Sequence, residues 1–380
     1  MRGLADGPVS ILLASHLSTL GFSPVRIGAI VTGTLLGSAA LTLAVGLGGH
    51  RRHPRELLLA SSAIMFATGL GFFAFTEFWL LFAIGVVGTL NPSAGDVSVF
   101  LPTEQAALSG TVTDADRTAM FARYNLAGNL AGAFGALASG LPVWAAHRWG
   151  YDERWAPRFG FLAYAAFALV AATLYRGLSP AVEAKVVTTP RRPLEKSRRI
   201  VVELALLFSL DSLGGGFVIQ SLLALWLFRR FELSVATAGA VFFAAGLLAG
   251  FSQLLSPWLA RRIGLIRTMA YTHLPANVFL VIAAFMPTAP LAISFLLLRM
   301  SLSQMDVPAR QSYVMSVVPP EERAAAASVT NVPRSLAAAT TPVLAGAMLA
   351  HTNFGWALVC GGVTKIAYDL WLLRRFRAKG

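Results

Sequence analysis

Cysteine and lysine are nearly missing from this chain, and charge of either sign is scarce. Asp, Glu, Lys and Arg together make up 13% of the 380 residues, against roughly a quarter in soluble domains. So few charges cannot dress a water-exposed surface, which excludes an ordinary soluble globular protein. Cys360 is the single cysteine and lies inside an apolar run, so neither a disulfide nor a thiolate metal centre can be built. No Gly-x-x-x-x-Gly-Lys-Ser/Thr row occurs, which excludes a self-contained ATP-driven pump. An aspartyl intramembrane protease needs Gly-x-Gly-Asp, yet Asp96 follows only Ala94-Gly95. Ala138-Ser139-Gly140 lacks the leading glycine of the serine type. The expectation is no enzyme, no cofactor and no metal. The lysines are four, Lys185, Lys196, Lys365 and Lys379, and an arginine excess of this kind points to a GC-rich bacterial genome and a cell inner membrane.

What the chain has in abundance is apolar residues, 56% of the total. A membrane helix needs about 20 of them in a row. Twelve such runs begin near residues 5, 25, 56, 77, 118, 157, 200, 234, 266, 289, 323 and 353. They divide the chain into a six-span bundle over 1–178, a basic linker over 179–199 and a second six-span bundle over 200–380. The fold class expected is therefore an all-α membrane protein of twelve spans. The net charge of +13 sits mostly in short loops and at the termini, as topology-setting charge does, so no nucleic-acid partner is expected. The same asymmetry puts both termini and the linker in the cytoplasm, with residues 151–157 outside. The first span is short, running from 7 to 22, with Asp6 at its very edge. Its counterpart Asp211 stands about 16 Å deep in the seventh span at 1.5 Å per residue. A missing start to the first helix is the reading that reconciles the two, and a cleaved signal peptide fits poorly because no small-x-small site follows.

Two rows in the chain repeat. Pro308, Arg310, Gln311, Arg323 and Asn331 match Pro102, Glu104, Gln105, Arg117 and Asn125 at identical spacing. Gly140 and Gly346 keep the register, and Ser23, Gly28 and His50-Arg51 answer to Ser234, Gly239 and Arg261-Arg262. The chain is a duplicated half.

Two six-span halves, a basic central linker and paired loop motifs resemble the major facilitator superfamily of transporters across essentially the whole chain. That family's row Gly-x-x-x-Asp-Arg-x-Gly-Arg-Arg survives in part at Gly46 to Arg55, with His50 in place of Asp and His53 in place of Gly. Its repeat keeps Gly264 after Arg261-Arg262 and also loses the Asp. The resemblance implies alternating access, in which two bundles rock about a central site. It leaves the cargo open. The partners expected are a small polar or amphipathic solute, protons and the bilayer, with the protein monomeric. A non-transporting sensor or assembly protein on the same scaffold is the alternative.

An ionisable side chain at mid-membrane costs about 2.5–3.5 kcal/mol on insertion scales, so each one asks for a reason. Asp211 precedes Leu213-Gly214-Gly215-Gly216, where glycines permit bending and close backbone approach. It is either a proton carrier, with Asp6 as its twin, or an acid neutralised by a neighbouring arginine. In the tenth span Arg299, Asp306 and Arg310 fall on one helical face. They read as a self-neutralising stripe, or Arg299 meets cargo. Arg334 lies at mid-depth in the eleventh span, while Arg123 sits near the inner interface, where it can snorkel. Lys365 and Asp369 form an i, i+4 pair on the twelfth span, read as structural. Gln220, His16, Asn125 and Asn331 are candidate polar contacts to cargo or between helices. Glu104 and Arg310 reverse sign within the repeat and could pair across the halves. A local latch of Glu104 to Arg51 or Arg52 is the favoured reading, with Asp306, Arg310, Arg261 and Arg262 as further cytoplasmic gate residues.

Overall fold

A computed structural model of the chain describes residues 2–48, 54–92, 117–150, 155–178, 195–319 and 322–376, with Phe100, Glu104 and Asp152 besides. Every regular element among them is helical. The first half contains α1 (Arg2–Thr19), α2 (Pro24–Gly48), α3 (Pro54–Ala74), α4 (Phe78–Val87), α5 (Arg117–Leu137), α6 (Leu141–Trp149) and α7 (Ala156–Arg176). The second contains α8 (Arg198–Gly216), α9 (Gln220–Phe231), α10 (Val235–Ile263), α11 (Leu265–Phe285), α12 (Ala289–Ser303), α13 (Asp306–Ser316), α14 (Arg323–Thr340), α15 (Pro342–His351) and α16 (Trp356–Phe376). The helices make twelve spans in two six-span bundles, because four spans are each built from two collinear pieces.

Each break has a local cause. Pro142 and Pro342 stand in the first turn of α6 and α15, where a proline can begin a helix but cannot continue one. The seventh span stops at Gly216 and restarts at Gln220, with Ile219 extended at ψ 143°. The tenth stops at Ser303 and restarts at Asp306, three residues before Ala309 and just before Pro308. Eight stretches among the described residues are long and apolar enough to cross a bilayer. The outer rim is apolar too. Trp79, Trp144, Trp149, Trp155, Trp258, Trp356 and Trp371 are all exposed, while Trp226 is buried, the arrangement of aromatic residues at the edges of a bilayer.

α1 corrects one expectation. It runs for 18 residues, about 27 Å, and Asp6 is buried one turn inside it rather than at its edge. The helix extends further toward Met1 because Arg2 and Asp6, one turn apart, compensate each other's charge.

The duplication is visible in which helices touch. α1 packs on α5 as α8 packs on α14, α3 on α7 as α11 on α16, and α2 on α4 as α10 on α12. Between halves, α2 meets α15 and α5 meets α10. Those two seams are closed by the glycines that keep the repeat in register. A methyl group at Gly28 would stand 2.5 Å from the Pro342 carbonyl oxygen, and one at Gly346 would stand 2.3 Å from that of Pro24. On the other seam, one at Gly239 would stand 2.5 Å from the Ala136 carbonyl oxygen and one at Gly140 would stand 2.8 Å from Ala236. Small residues bring backbones close where lipid offers no hydrophobic drive to association. The Val343 amide donates to Thr32 Oγ1 at 3.2 Å. All these contacts lie toward the membrane face opposite the linker.

At the linker side, Glu322 ties α8 to the loop before α14. Its carboxylate accepts from the backbone amides of Glu195, Lys196 and Ser197 at 3.2, 2.9 and 3.1 Å, and from the Ser197 hydroxyl. It therefore satisfies amides that the start of a helix leaves without partners. The Ser197 hydroxyl and then the Lys196 amide hold its pKa down at about 2.

Candidate functional site

Four helices of the second half converge on one buried ionic network. Asp211 on α8 accepts from Lys365 Nζ on α16 at 2.6 Å and from Arg310 Nη1 on α13 at 3.2 Å. His273 Nε2 on α11 lies 3.7 Å from the same carboxylate. Arg310 Nη1 is also 3.2 Å from Asp306, one turn back in the first turn of α13. On the far side of the imidazole, Nδ1 is 2.9 Å from Asp369, whose second oxygen accepts from Asn277 Nδ2 at 3.0 Å. Asp369 and Asn277 are fully buried, and Asp211 is 5% exposed. Phe208, Tyr313, Tyr368 and Phe376 belong to one apolar cluster of the second half, with Arg310 5.7 Å above the Phe208 ring.

Local sequence makes this possible in two ways. His273 and Asn277, Asp306 and Arg310, and Lys365 and Asp369 are each four apart, so each pair shares one helical face. The Gly214–Gly216 row lets α8 lie against its neighbours. A methyl group at Gly214 would come within 2.8 Å of Lys365 Cγ and of the Gly361 carbonyl oxygen, and one at Gly216 within 2.2 Å of the Ala338 carbonyl oxygen. Removing side chains there brings the lysine stem up to Asp211.

The first half holds a smaller network of different chemistry. Glu104 accepts from the Tyr175 hydroxyl at 2.5 Å, from the Tyr124 hydroxyl, and from Arg2 Nη2 at 3.5 Å. Arg2 Nη1 lies 3.8 Å from Asp6. Arg2 is thus the cation shared by both acids, and the phenolic hydroxyls complete the shell of Glu104.

Several expectations need correction. Glu104 and Arg310 do not meet: the first is held by Arg2 and two tyrosines, the second by Asp211 and Asp306. Arg51 and Arg52 lie outside the described residues. Lys365 and Asp369 are not a separate pair, because the glycines of α8 draw Lys365 to Asp211 while Asp369 turns to His273. Arg299 is not joined to the Asp306–Arg310 pair: it lies on α12, which ends at Ser303, and no ion pair links it to Asp306 among the described residues. Its guanidinium instead donates to Met300 Sδ at 3.2 Å. Arg334 reaches Ser212 Oγ at 3.1 Å, beside Asp211, and Asn331 Oδ1 at 3.3 Å. Gln220 opens α9 just past the break, and Asn125 is half-buried on α5. His16 is fully buried with its ring 5.2 Å from that of Phe161, in an aromatic part of the core. Arg261 and Arg262 are exposed at the end of α10, and Arg262 lies 4.4 Å over the Trp258 ring. His273, Asn277, Arg2, Tyr124 and Tyr175 had not been singled out in the sequence. The signal for the first two was a polar pair one turn apart inside an apolar span.

Comparisons with known proteins agree with this architecture. The family model of the Major Facilitator Superfamily matches residues 1–342. An uncharacterized membrane protein of Saccharomyces cerevisiae is 25% identical over 411 residues, covering 99% of this chain and 92% of its own. The bacterial source expected from arginine usage gains no support from that relative. Among solved structures, a D-xylose–proton symporter superposes with a TM-score of 0.74 at 16% identity, over 98% of this chain and 94% of that one. A nucleoside transporter gives 0.69 at 12%, over 99% and 100%. A bacterial homolog of the human lysosomal transporter Spinster, in an inward-facing and occupied conformation, gives 0.72 at 14%, over 99% and 95%.

Proposed function

Because the chain belongs to the major facilitator superfamily, we propose that it carries a small organic solute across its membrane by alternating access, driven by protons that titrate Asp211. It is a multi-pass membrane transporter and not an enzyme. The observation that carries the proton reading is the position of Asp211 as a node. This one buried carboxylate holds Lys365 of the twelfth span and Arg310 of the tenth against the seventh. A proton on Asp211 removes the anion of Lys365 and leaves Arg310 only Asp306 on its own helix, and an uncompensated buried cation is costly. Protonation therefore releases two helices from a third at mid-membrane, and deprotonation clamps them again. One elementary charge moved across the membrane carries about 2.3 kcal/mol per 100 mV, enough to bias such a two-state bundle. Asp6, which lies 3.8 Å from Arg2, acts as an auxiliary acid.

The seams at Gly28–Pro342 and Gly239–Ala136 lie away from the linker side. With both termini and the linker assigned to the cytoplasm, these seams close the outer side. The charge asymmetry of the loops supports that orientation. Cysteines placed at 151–157 should label with an impermeant maleimide in intact cells, and labelling of the linker instead would reverse it.

The protein reconstituted in vesicles should exchange labelled for unlabelled solute by counterflow when challenged with sugars, nucleosides, amino acids and carboxylates. Asp211→Asn mimics the protonated acid. It should abolish uphill, proton-driven accumulation while leaving that exchange intact. Accumulation by the Asn variant would remove Asp211 from the mechanism, and absence of exchange by the unaltered protein with every solute class would remove the carrier reading itself.

A further inference from the structure

We infer that the solute is an organic anion, and that Arg299, seconded by Arg334, receives its carboxylate or phosphate group. The inference rests on the carrier reading and narrows it to a chemical class. It begins with a charge inventory of the second half's interior. Arg299, Arg310, Arg334 and Lys365 are four permanent cations, against the three carboxylates Asp211, Asp306 and Asp369. Every one of those carboxylates is already engaged: Asp211 by Lys365 and Arg310, Asp306 by Arg310, and Asp369 by His273 and Asn277. Among the described residues of the first half, Asp6 and Glu104 are held by Arg2, Tyr124 and Tyr175, and neither pairs with Arg299.

Arg299 is the residue this leaves uncompensated. No carboxylate lies within 4 Å of it among the described residues. Its Nη1 touches only the Met300 thioether, a weak acceptor, and its Nε is buried without a partner. Ala292, Leu296 and Ser303 are buried at the positions that share its face of α12, so Arg299 stands on the packed side of the helix and not toward lipid. It lies ten residues into α12, about 15 Å from the outer end at 1.5 Å per residue. That is the middle of a hydrocarbon core of about 30 Å, beyond reach of headgroup phosphates. A guanidinium at that depth needs an anion.

Arg334 stands at the same level, eleven residues into α14, or about 17 Å from the inner end. Its Nε is bonded to Ser212, the neighbour of Asp211. Arg334 therefore lies beside the proposed coupling acid, and Arg299 stands on the packed side of a different span. Guanidinium groups present planar, forked donors that match carboxylate and phosphate oxygens. An anion bound between them would neutralise the surplus and draw the tenth and eleventh spans together beside Asp211. Binding and proton coupling would thus share one electrostatic neighbourhood.

The test uses the full chain in vesicles and a panel of labelled solutes matched in size. The panel comprises a monocarboxylate, a dicarboxylate, a sugar phosphate, the parent sugar, a nucleoside and a primary amine. Counterflow is expected with one or more of the anions and not with the neutral or cationic members. For the anion moved, Arg299→Gln should raise KM on the order of 10–100-fold, while Arg299→Lys keeps part of the affinity. Thermal unfolding of both variants checks that the fold is intact. Counterflow of the sugar, nucleoside or amine that Arg299→Gln leaves unchanged would overturn the anion inference while upholding the carrier. An Arg299→Gln protein that carries the anion with unaltered KM would also overturn it, as would stabilisation by chloride equal to that by the organic anions. Failure of the whole panel with the unaltered protein would take down the carrier reading and this inference with it.

Discussion

The two halves share a scaffold and differ in what they bury. The same helix pairs touch in each, and matched glycines close the seams between them. Yet the acid near the start of the first span, Asp6, meets a single arginine at 3.8 Å, while its counterpart Asp211 meets Lys365 at 2.6 Å and Arg310 at 3.2 Å. At the other matched position the sign itself changes, from Glu104 to Arg310. Glu104 is surrounded by phenolic hydroxyls, which donate hydrogen bonds and do not titrate at ordinary pH. Arg310 is surrounded by carboxylates. Duplication thus kept the packing, which both halves need, and released the interior chemistry. On the proposed mechanism the second half carries the main titrating acid, while the first half mainly holds its charges in place.

That contrast can be broken or sharpened by substitution. The largest effect is expected from Lys365→Met, which leaves Asp211 short of its nearest counter-charge and should cost about 3–5 kcal/mol. Thermal unfolding in detergent reads this. Adding Asp211→Leu to it should restore part of the loss, since removing both charges is far less costly than removing one. An equal loss from Arg2→Met would show that the halves are not different after all.

Next in size is Gly28→Leu, which drives a side chain into the Pro342 carbonyl and should cost the closed outer seam about 1–3 kcal/mol. The expected readout is a shift of conformation: cysteines on the inner wall of the outer vestibule should gain maleimide reactivity. Unchanged reactivity would mean that the seam does not govern access.

Smaller still is Tyr175→Phe. Deleting one hydroxyl from the Glu104 shell should lower stability by about 1 kcal/mol and leave the pH profile of transport where it was. A displaced pH profile would give Glu104 a share in proton coupling beside Asp6 and weaken the distinction drawn above.

The smallest effect concerns Glu322, outside the membrane. Its pKa is lowered to about 2 from 4.5, so its bonds to the start of α8 are complete above about pH 4.5 and fail as pH falls toward 2. Glu322→Gln should lose this contribution at neutral pH and flatten the acid limb of stability. An acid limb identical to that of the unaltered protein would assign it to other groups.

Much of the architecture was legible because it depends on local properties. Run length and loop charge set twelve spans, and the predicted starts near 25, 118, 289 and 323 fall within one residue of α2, α5, α12 and α14. The ionic partners were legible only where they are one turn apart, as with Asp306 and Arg310. Lys365 shows why the rest was hidden. Its i, i+4 neighbour Asp369 looked sufficient, and only the approach of α8 to α16 across Gly214 and Gly361 gives it Asp211 in preference. Arg299 was harder to place for a related reason: spacing arguments carry a register through one helix, and α12 ends at Ser303 before α13 begins at Asp306. Glu104 found its partner 102 residues away in sequence, beyond any pattern a single chain can advertise.

The outer seam has one more implication. Its named contacts are glycine, alanine, proline, valine, serine and threonine against backbone oxygens and amides, with no ionisable group among them. A door of that composition is indifferent to the acidity and salt of the fluid beyond it. A rise in proton activity on that side then bears on transport through carboxylates inside the bundle and not through these seam contacts. Saline and acid shocks should leave the resting leak of the closed protein flat, even while its turnover changes.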